Sequence, residues 1–131
     1  RAHMGKRYLF SHIVHLVILM PPLDLFKNLS ESTRLYSLLL IKQEQELCVC
    51  ELMEALELSQ PKISRHLALL REANLLETER RGQWIFYRLS SQLEDWAIDI
   101  IELANQQHDL TILNRRLADM GGRPERMQQC C

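Results

Sequence analysis

Apolar residues recur along this chain with two periods, and the change from one to the other lays out its architecture. Leu23, Phe26 and Leu29 share a face at helical spacing and predict a short helix. Leu35, Leu38 and Leu39 repeat at i, i+3, i+4, with Ser30 placed to cap that second helix, and Lys42 to Glu46 reads as a polar connection. Val49, Leu52, Met53 and Leu56 make a third stripe, and Ile63, Leu67 and Leu70 a fourth. The fourth helix opens on Ser59, whose hydroxyl can accept a backbone N–H, and on Pro61, whose missing N–H costs nothing in a first turn. Two short helices joined through Glu57-Leu58 predict a helix-turn-helix. Beyond Leu70 the period drops to two: Ile85, Tyr87 and Leu89 alternate with Trp84, Phe86 and Arg88. Gly82 can supply the positive φ of a tight turn, so a β-hairpin is expected, with Arg80 and Arg81 at its tip and Gln83 opening the return strand. Gln92 to Leu117 holds neither Pro nor Gly and reads as one long helix, bounded by Gly121-Gly122. The fold class is mainly α with one β-hairpin, a winged helix-turn-helix.

The ends of the chain read differently. Residues 1–19 carry an apolar run too short to span a bilayer and broken by His12 and His15, with no small-residue cleavage site after it. They are taken as a leader or upstream extension, with a single domain over residues 20–120 and a mobile tail over 121–131 ending in Cys130-Cys131. At 131 residues and 47% hydrophobic the chain suits one domain with one core. Its net charge of −1 announces no nucleic acid. Between Ser59 and Arg88, however, six basic residues (Lys62, Arg65, Arg71, Arg80, Arg81, Arg88) face three acidic ones. A locally basic face on an acidic body suits a salt-sensitive binder of duplex DNA, with no membrane partner.

Off the apolar stripe of the fourth helix lie Ser59, Gln60, Lys62, Ser64, Arg65 and His66, which combine phosphate neutralisers with groups able to read base edges. With Arg80, Arg81 and Gln83 of the hairpin they form the candidate DNA surface. Leu93, Trp96, Ala97, Ile100, Ile101 and Ala104 give the last helix an apolar face too broad for one small domain, and a homodimer is the expected cover. Such a dimer would set two recognition helices on successive turns of a palindromic site. The four cysteines, in two close pairs, fit no secreted disulfide framework; a reducing cytoplasm and thiolate chemistry are expected. No nucleophile–base set, phosphate-cradling loop or carboxylate pair stands at a readable spacing, so no enzyme is expected.

With these pieces assembled, the chain resembles the ArsR/SmtB family of bacterial metal-responsive repressors over about Leu23 to Leu117, and most of all its arsenical-resistance members. Two runs carry the resemblance: Glu46-Leu47-Cys48-Val49-Cys50-Glu51-Leu52, and Ser59-Gln60-Pro61-Lys62-Ile63-Ser64-Arg65-His66-Leu67-Ala68-Leu69-Leu70-Arg71-Glu72. The resemblance implies a homodimeric winged-helix repressor, bound to double-stranded operator DNA and released by As(III) or Sb(III), with no permanent cofactor. It implies that Cys48 and Cys50 are the inducer ligands. Soft metalloids favour thiolates, and a helix N-terminus lowers a cysteine's pKa. On an ideal helix these two side chains point to different sides, so chelation is expected to unwind the first turn. Where the arsenical sensors carry a third cysteine, three residues on, this chain has Met53; Cys130 and Cys131 are candidates for the missing sulfur. The His and carboxylate pairing of the family's zinc and nickel sensors is missing: Asp95 is followed by Trp96-Ala97 and Asp99 by Ile100-Ile101, and His108 stands beside Asp109. A thiol-redox or organoarsenical-selective repressor on the same scaffold is the alternative.

Overall fold

The structure, a computed structural model, describes residues 20–124; the leader and the Cys130-Cys131 pair lie outside them. Six helices and three strands follow in order among the described residues: α1 (Pro22–Leu29), α2 (Ser32–Glu44), β1 (Leu47–Cys48), α3 (Val49–Leu56), α4 (Gln60–Glu72), β2 (Leu76–Arg81), β3 (Trp84–Leu89), α5 (Asp95–Gln107) and α6 (Thr111–Asp119).

Helix α2 is the centre of the core. Leu38, Leu39, Leu40 and Ile41 are four consecutive residues with no exposed surface, because α1, α4, α5 and β3 pack round the helix. Leu52 and Ala55 of α3 and Ile63, Leu67 and Leu70 of α4 join them, as the helical stripes predict. Each leucine buried in this way contributes about 1.5–3 kcal/mol. In α1 the outcome differs: Leu25 enters the core, while Leu23 and Phe26 are 68% and 51% exposed. The cap of α2 also moves. Ser30 is near-helical (φ −84°, ψ 1°) and closes α1, its hydroxyl donating to the Lys27 carbonyl at 2.8 Å. Glu31 is extended (φ −119°, ψ 133°), and its carboxylate accepts the Arg34 N–H at 3.0 Å. Extended backbone is what a capping residue needs. Helix α2 continues through Lys42 to Glu44 and stops at Gln45, whose φ is 76°.

The hairpin forms as expected. Arg81 pairs with Trp84 at its end, leaving Gly82 (φ 61°) and Gln83 as a two-residue turn whose first central position calls for a positive φ. The sheet has the order β1-β3-β2 and is antiparallel throughout, with Leu47 opposite Tyr87 and Cys48 opposite Phe86.

The expected long helix is two. After Gln107 the chain extends at His108 (φ −100°, ψ 138°), and the Asp109 carboxylate accepts the Thr111 N–H at 3.0 Å to start α6. Leu110, at 6% exposure, plugs the core at the break. Helix α6 then folds back onto α3: Arg116 donates to the Ala55 carbonyl at 2.8 Å and pairs with Glu57 at 3.3 Å. The segment after α6 is no loose tail at its start, since Arg123 is ion-paired and Pro124 is buried.

Candidate functional site

Helix α4 is presented by a short, tightly set turn. Glu57 closes α3 in the left-handed region (φ 55°, ψ 47°), and Ser59 caps α4, its hydroxyl accepting the Lys62 N–H at 3.4 Å. Gln60, Lys62 and Arg65 are exposed, and Ser64 is half-buried, its hydroxyl accepting from the Gln60 amide at 3.0 Å. His66 does not share this face. It is 6% exposed and packs beneath the helix, where its Nδ1 lies 3.1 Å from an Arg34 guanidinium nitrogen and 3.8 Å from the Glu31 carboxylate. Burial holds its pKa below the ordinary imidazole value, against the attraction of Glu31. In the free chain His66 thus packs under α4 and away from its open face: three residues from Ile63 and one from Leu67, it borders the apolar stripe. Ala68 and Leu69, the latter 41% exposed, extend the open face in its place. Apolar side chains can touch thymine methyls.

The wing divides its cations. Arg80 is exposed, and Gln83 is exposed at the turn. Arg81 points inward: its guanidinium is paired with Glu46 and lies over the Phe86 ring at 4.0 Å, and its side chain is only 16% exposed. The strand alternation that puts Arg80 outside turns Arg81 to the other face. Arg88 is likewise engaged, at 3.0 Å from Glu77.

The cysteine pair departs most from ideal-helix reasoning. Cys48 is not in the helix; it is the N-cap, extended at φ −95° and ψ 170°. Its amide donates to the Glu51 carboxylate at 2.9 Å, the reciprocal arrangement of a capping box with cysteine in place of serine. That turn of the backbone brings the two sulfurs to 2.9 Å, so no unwinding is needed for both to face one ion. Two sulfurs on one ion, with bonds of about 2.3 Å as thiolates make to zinc, sit at most about 4.6 Å apart. Cys48 is 2% exposed and Cys50 half-buried. The helix terminus does not lower the Cys48 pKa as expected: burial, and then the hydrogen bond with Cys50, push its thiol far above the usual range. Met53 is half-buried one turn on. Among the described residues no group of three or more His, Cys, Asp or Glu side chains is placed to hold a metal ion. His108 is tied to its own helix, 2.9 Å from the Ala104 carbonyl, with its ring edge-on to Tyr36.

The expected interface set, along α5 and just before it, splits. Ala97 and Ile101, both 1% exposed, belong to this chain's own core. Leu93, Trp96, Ile100 and Ala104 are half-buried against it, and Leu103, 59% exposed, extends the Trp96–Ile100 stripe outward. No helix among the described residues is long and apolar enough to cross a membrane.

A helix-turn-helix whose second helix stands open beside a three-stranded wing defines a winged-helix DNA-binding protein. Residues 31–78 match the family model described as bacterial regulatory protein, arsR family. Over 116 residues the chain is 51% identical to an arsenic resistance transcriptional regulator of Pseudomonas putida, covering 86% of this chain and 89% of the relative. It is 50% identical over 99 residues to the arsenical resistance operon repressor of Escherichia coli, covering 74% and 85%. Among solved structures, HlyU from Vibrio cholerae matches with a TM-score of 0.59 and 37% identity, over 66% of this chain and 89% of that one. The chain belongs to the arsR family of bacterial regulatory proteins and is a transcription regulator, not an enzyme.

Proposed function

We propose that this protein is a metalloid-responsive repressor of the cytoplasm, a homodimer that holds a palindromic operator and lets it go when As(III) or Sb(III) binds Cys48 and Cys50. The observation that carries the reading is the 2.9 Å approach of the two sulfurs at the start of α3, the helix that leads through Glu57 into the capped recognition helix. Soft trivalent metalloids select sulfur over oxygen donors. With arsenous acid the step is a condensation: each S–As bond forms as an As–O bond breaks, and the thiol proton leaves with the hydroxyl as water. No oxidant or reductant is consumed, and each sulfur is held by the metalloid as a thiolate once its proton has left. Two sulfurs leave a third position on the metalloid. Cys130 is six residues beyond Pro124, a reach of up to about 20 Å for extended chain, and either tail cysteine is our candidate for that position. Gln60, Lys62, Ser64 and Arg65 are proposed to meet the operator in the major groove, with Arg80 and Gln83 on the flanking backbone.

The test is titration of As(III) or Sb(III) into the protein bound to its own upstream DNA, followed by fluorescence anisotropy. Cys48→Ser and Cys50→Ser are expected to bind the DNA as the parent does and to stay bound when the metalloid is added. Release retained in the double Cys48→Ser/Cys50→Ser variant would refute the reading and move sensing to the tail pair. Loss of release on replacing Cys130 and Cys131 would assign the third sulfur to them.

A further inference from the structure

Glu51 has no exposed surface, a rare setting for a carboxylate unless it is paired. One oxygen accepts the Cys48 N–H at 2.9 Å; the other accepts from Arg123 Nε at 2.6 Å, across 72 positions of sequence. The same guanidinium reaches Glu44, at the end of α2, at 3.0 Å. One arginine beyond α6 thus bridges the end of α2, before the cysteines, and the first turn of α3, which carries Cys50, and the next residue, Pro124, is buried.

We propose that Glu51 and Arg123 are positioning residues of the cysteine site: Arg123 latches the segment after α6 to α3, and through Glu51 it holds Cys48 in the extended conformation that turns its sulfur towards Cys50. The proposal rests on the reading of Cys48 and Cys50 as the inducer pair. Its physical basis is the satisfaction of a buried charge. A buried carboxylate that loses its cation must take up water or move. If Glu51 moves, the Cys48 amide loses its acceptor and the capping box opens. A Cys48 that then joins the helix has its side chain roughly 160° from that of Cys50 about the axis, at about 100° per residue, and the pair no longer faces one ion. The latch therefore presets the two-sulfur bite before any metalloid arrives.

The experiment compares Arg123→Gln, Arg123→Lys and the double variant Glu51→Gln/Arg123→Gln with the parent, with thermal unfolding followed so that only folded protein is compared. In metalloid-free protein, Arg123→Gln is expected to speed hydrogen exchange of the Cys48 amide at least tenfold. It is also expected to weaken As(III) binding, read by sulfur-to-arsenic absorption, about tenfold while operator affinity stays within twofold. Arg123→Lys recovers part of both effects, since it keeps the charge but lacks the fork that spans Glu44 and Glu51. The double variant removes the stranded charge and keeps at position 51 an amide oxygen that can still accept the Cys48 N–H, so its Cys48 exchange and As(III) affinity return most of the way to those of the parent. As(III) affinity in the double variant as weak as that of Arg123→Gln, or unchanged Cys48 exchange in Arg123→Gln, overturns the proposal. Failure of the inducer reading looks different: As(III) would then bind independently of Cys48 and Cys50, while Arg123→Gln would still speed Cys48 exchange and so support the latch.

Discussion

Two neighbouring wing arginines should fail in different ways when truncated. Arg80 is exposed, so Arg80→Ala is expected to remove a phosphate contact and little else. One neutralised phosphate contributes a slope of about −0.9 to log K against log salt. If that contribution vanishes near 1 M salt, one contact is worth roughly fivefold in affinity at 0.15 M, and two per homodimer roughly thirtyfold. Arg80→Ala should therefore flatten the slope by about 1.8 and weaken operator and unrelated duplex alike, with unfolding unchanged. Arg81→Ala takes away the Glu46 ion pair, with side chains 16% and 18% exposed, and the contact with the Phe86 ring. It should cost about 2 kcal/mol of stability, the scale of a charge-assisted hydrogen bond plus a cation–π contact, and leave the salt slope intact. The assay is fluorescence anisotropy at four or five salt concentrations, set beside urea unfolding of each variant. A slope unchanged in Arg80→Ala, or flattened by Arg81→Ala, would refute this division of the wing.

Two further predictions concern the dimer and acid stability. Leu103→Glu leaves the core untouched, since Leu103 is 59% exposed, but sets a charge twice into the two-fold interface proposed along α5; sedimentation should give monomers with weakened operator binding, and a persisting dimer would place the interface elsewhere. Because burial keeps the His66 pKa below its ordinary value, the unfolded chain binds that proton more readily; His66's contribution should be constant above about pH 6.5 and be lost as pH falls below it, and His66→Gln should flatten that part of a urea-midpoint profile against pH.

Much of the fold is legible in the sequence because its signals are local. Ile63, Leu67 and Leu70 lie on one face whatever packs against them, and Gly82 between two-residue alternations leaves a hairpin few other options. The break at His108–Leu110 carries neither Gly nor Pro; it forms because Leu110 finds a core position and Asp109 supplies a cap, both visible only once α6 is seen to fold back. Of the site, the residue types are legible and their orientations less so. Treating Cys48 as helical hides the close sulfur pair, yet the spacing Cys48-Val49-Cys50-Glu51 is that of a capping box and could have placed Cys48 outside the helix. His66 and Arg81 read as free polar groups because their partners, Arg34 and Glu46, are 32 and 35 residues away. The Arg123–Glu51 pair is separated by 72 positions of sequence, and no periodicity reports it.

The two-residue strand β1 gives any force at the cysteines a forked exit. Cys48 ends β1 opposite Phe86 of the wing and at the same time begins α3, which runs to the turn before Ser59. A displacement of that one residue would reach, along a helix axis, the side chains proposed to read the groove and, across a hydrogen-bonded ladder, the hairpin. A repressor wired in this way would not surrender its groove contacts and its backbone contacts in separate steps. Its operator occupancy would fall as a single event for each metalloid captured, with no half-released intermediate in which the wing still grips after the helix has gone.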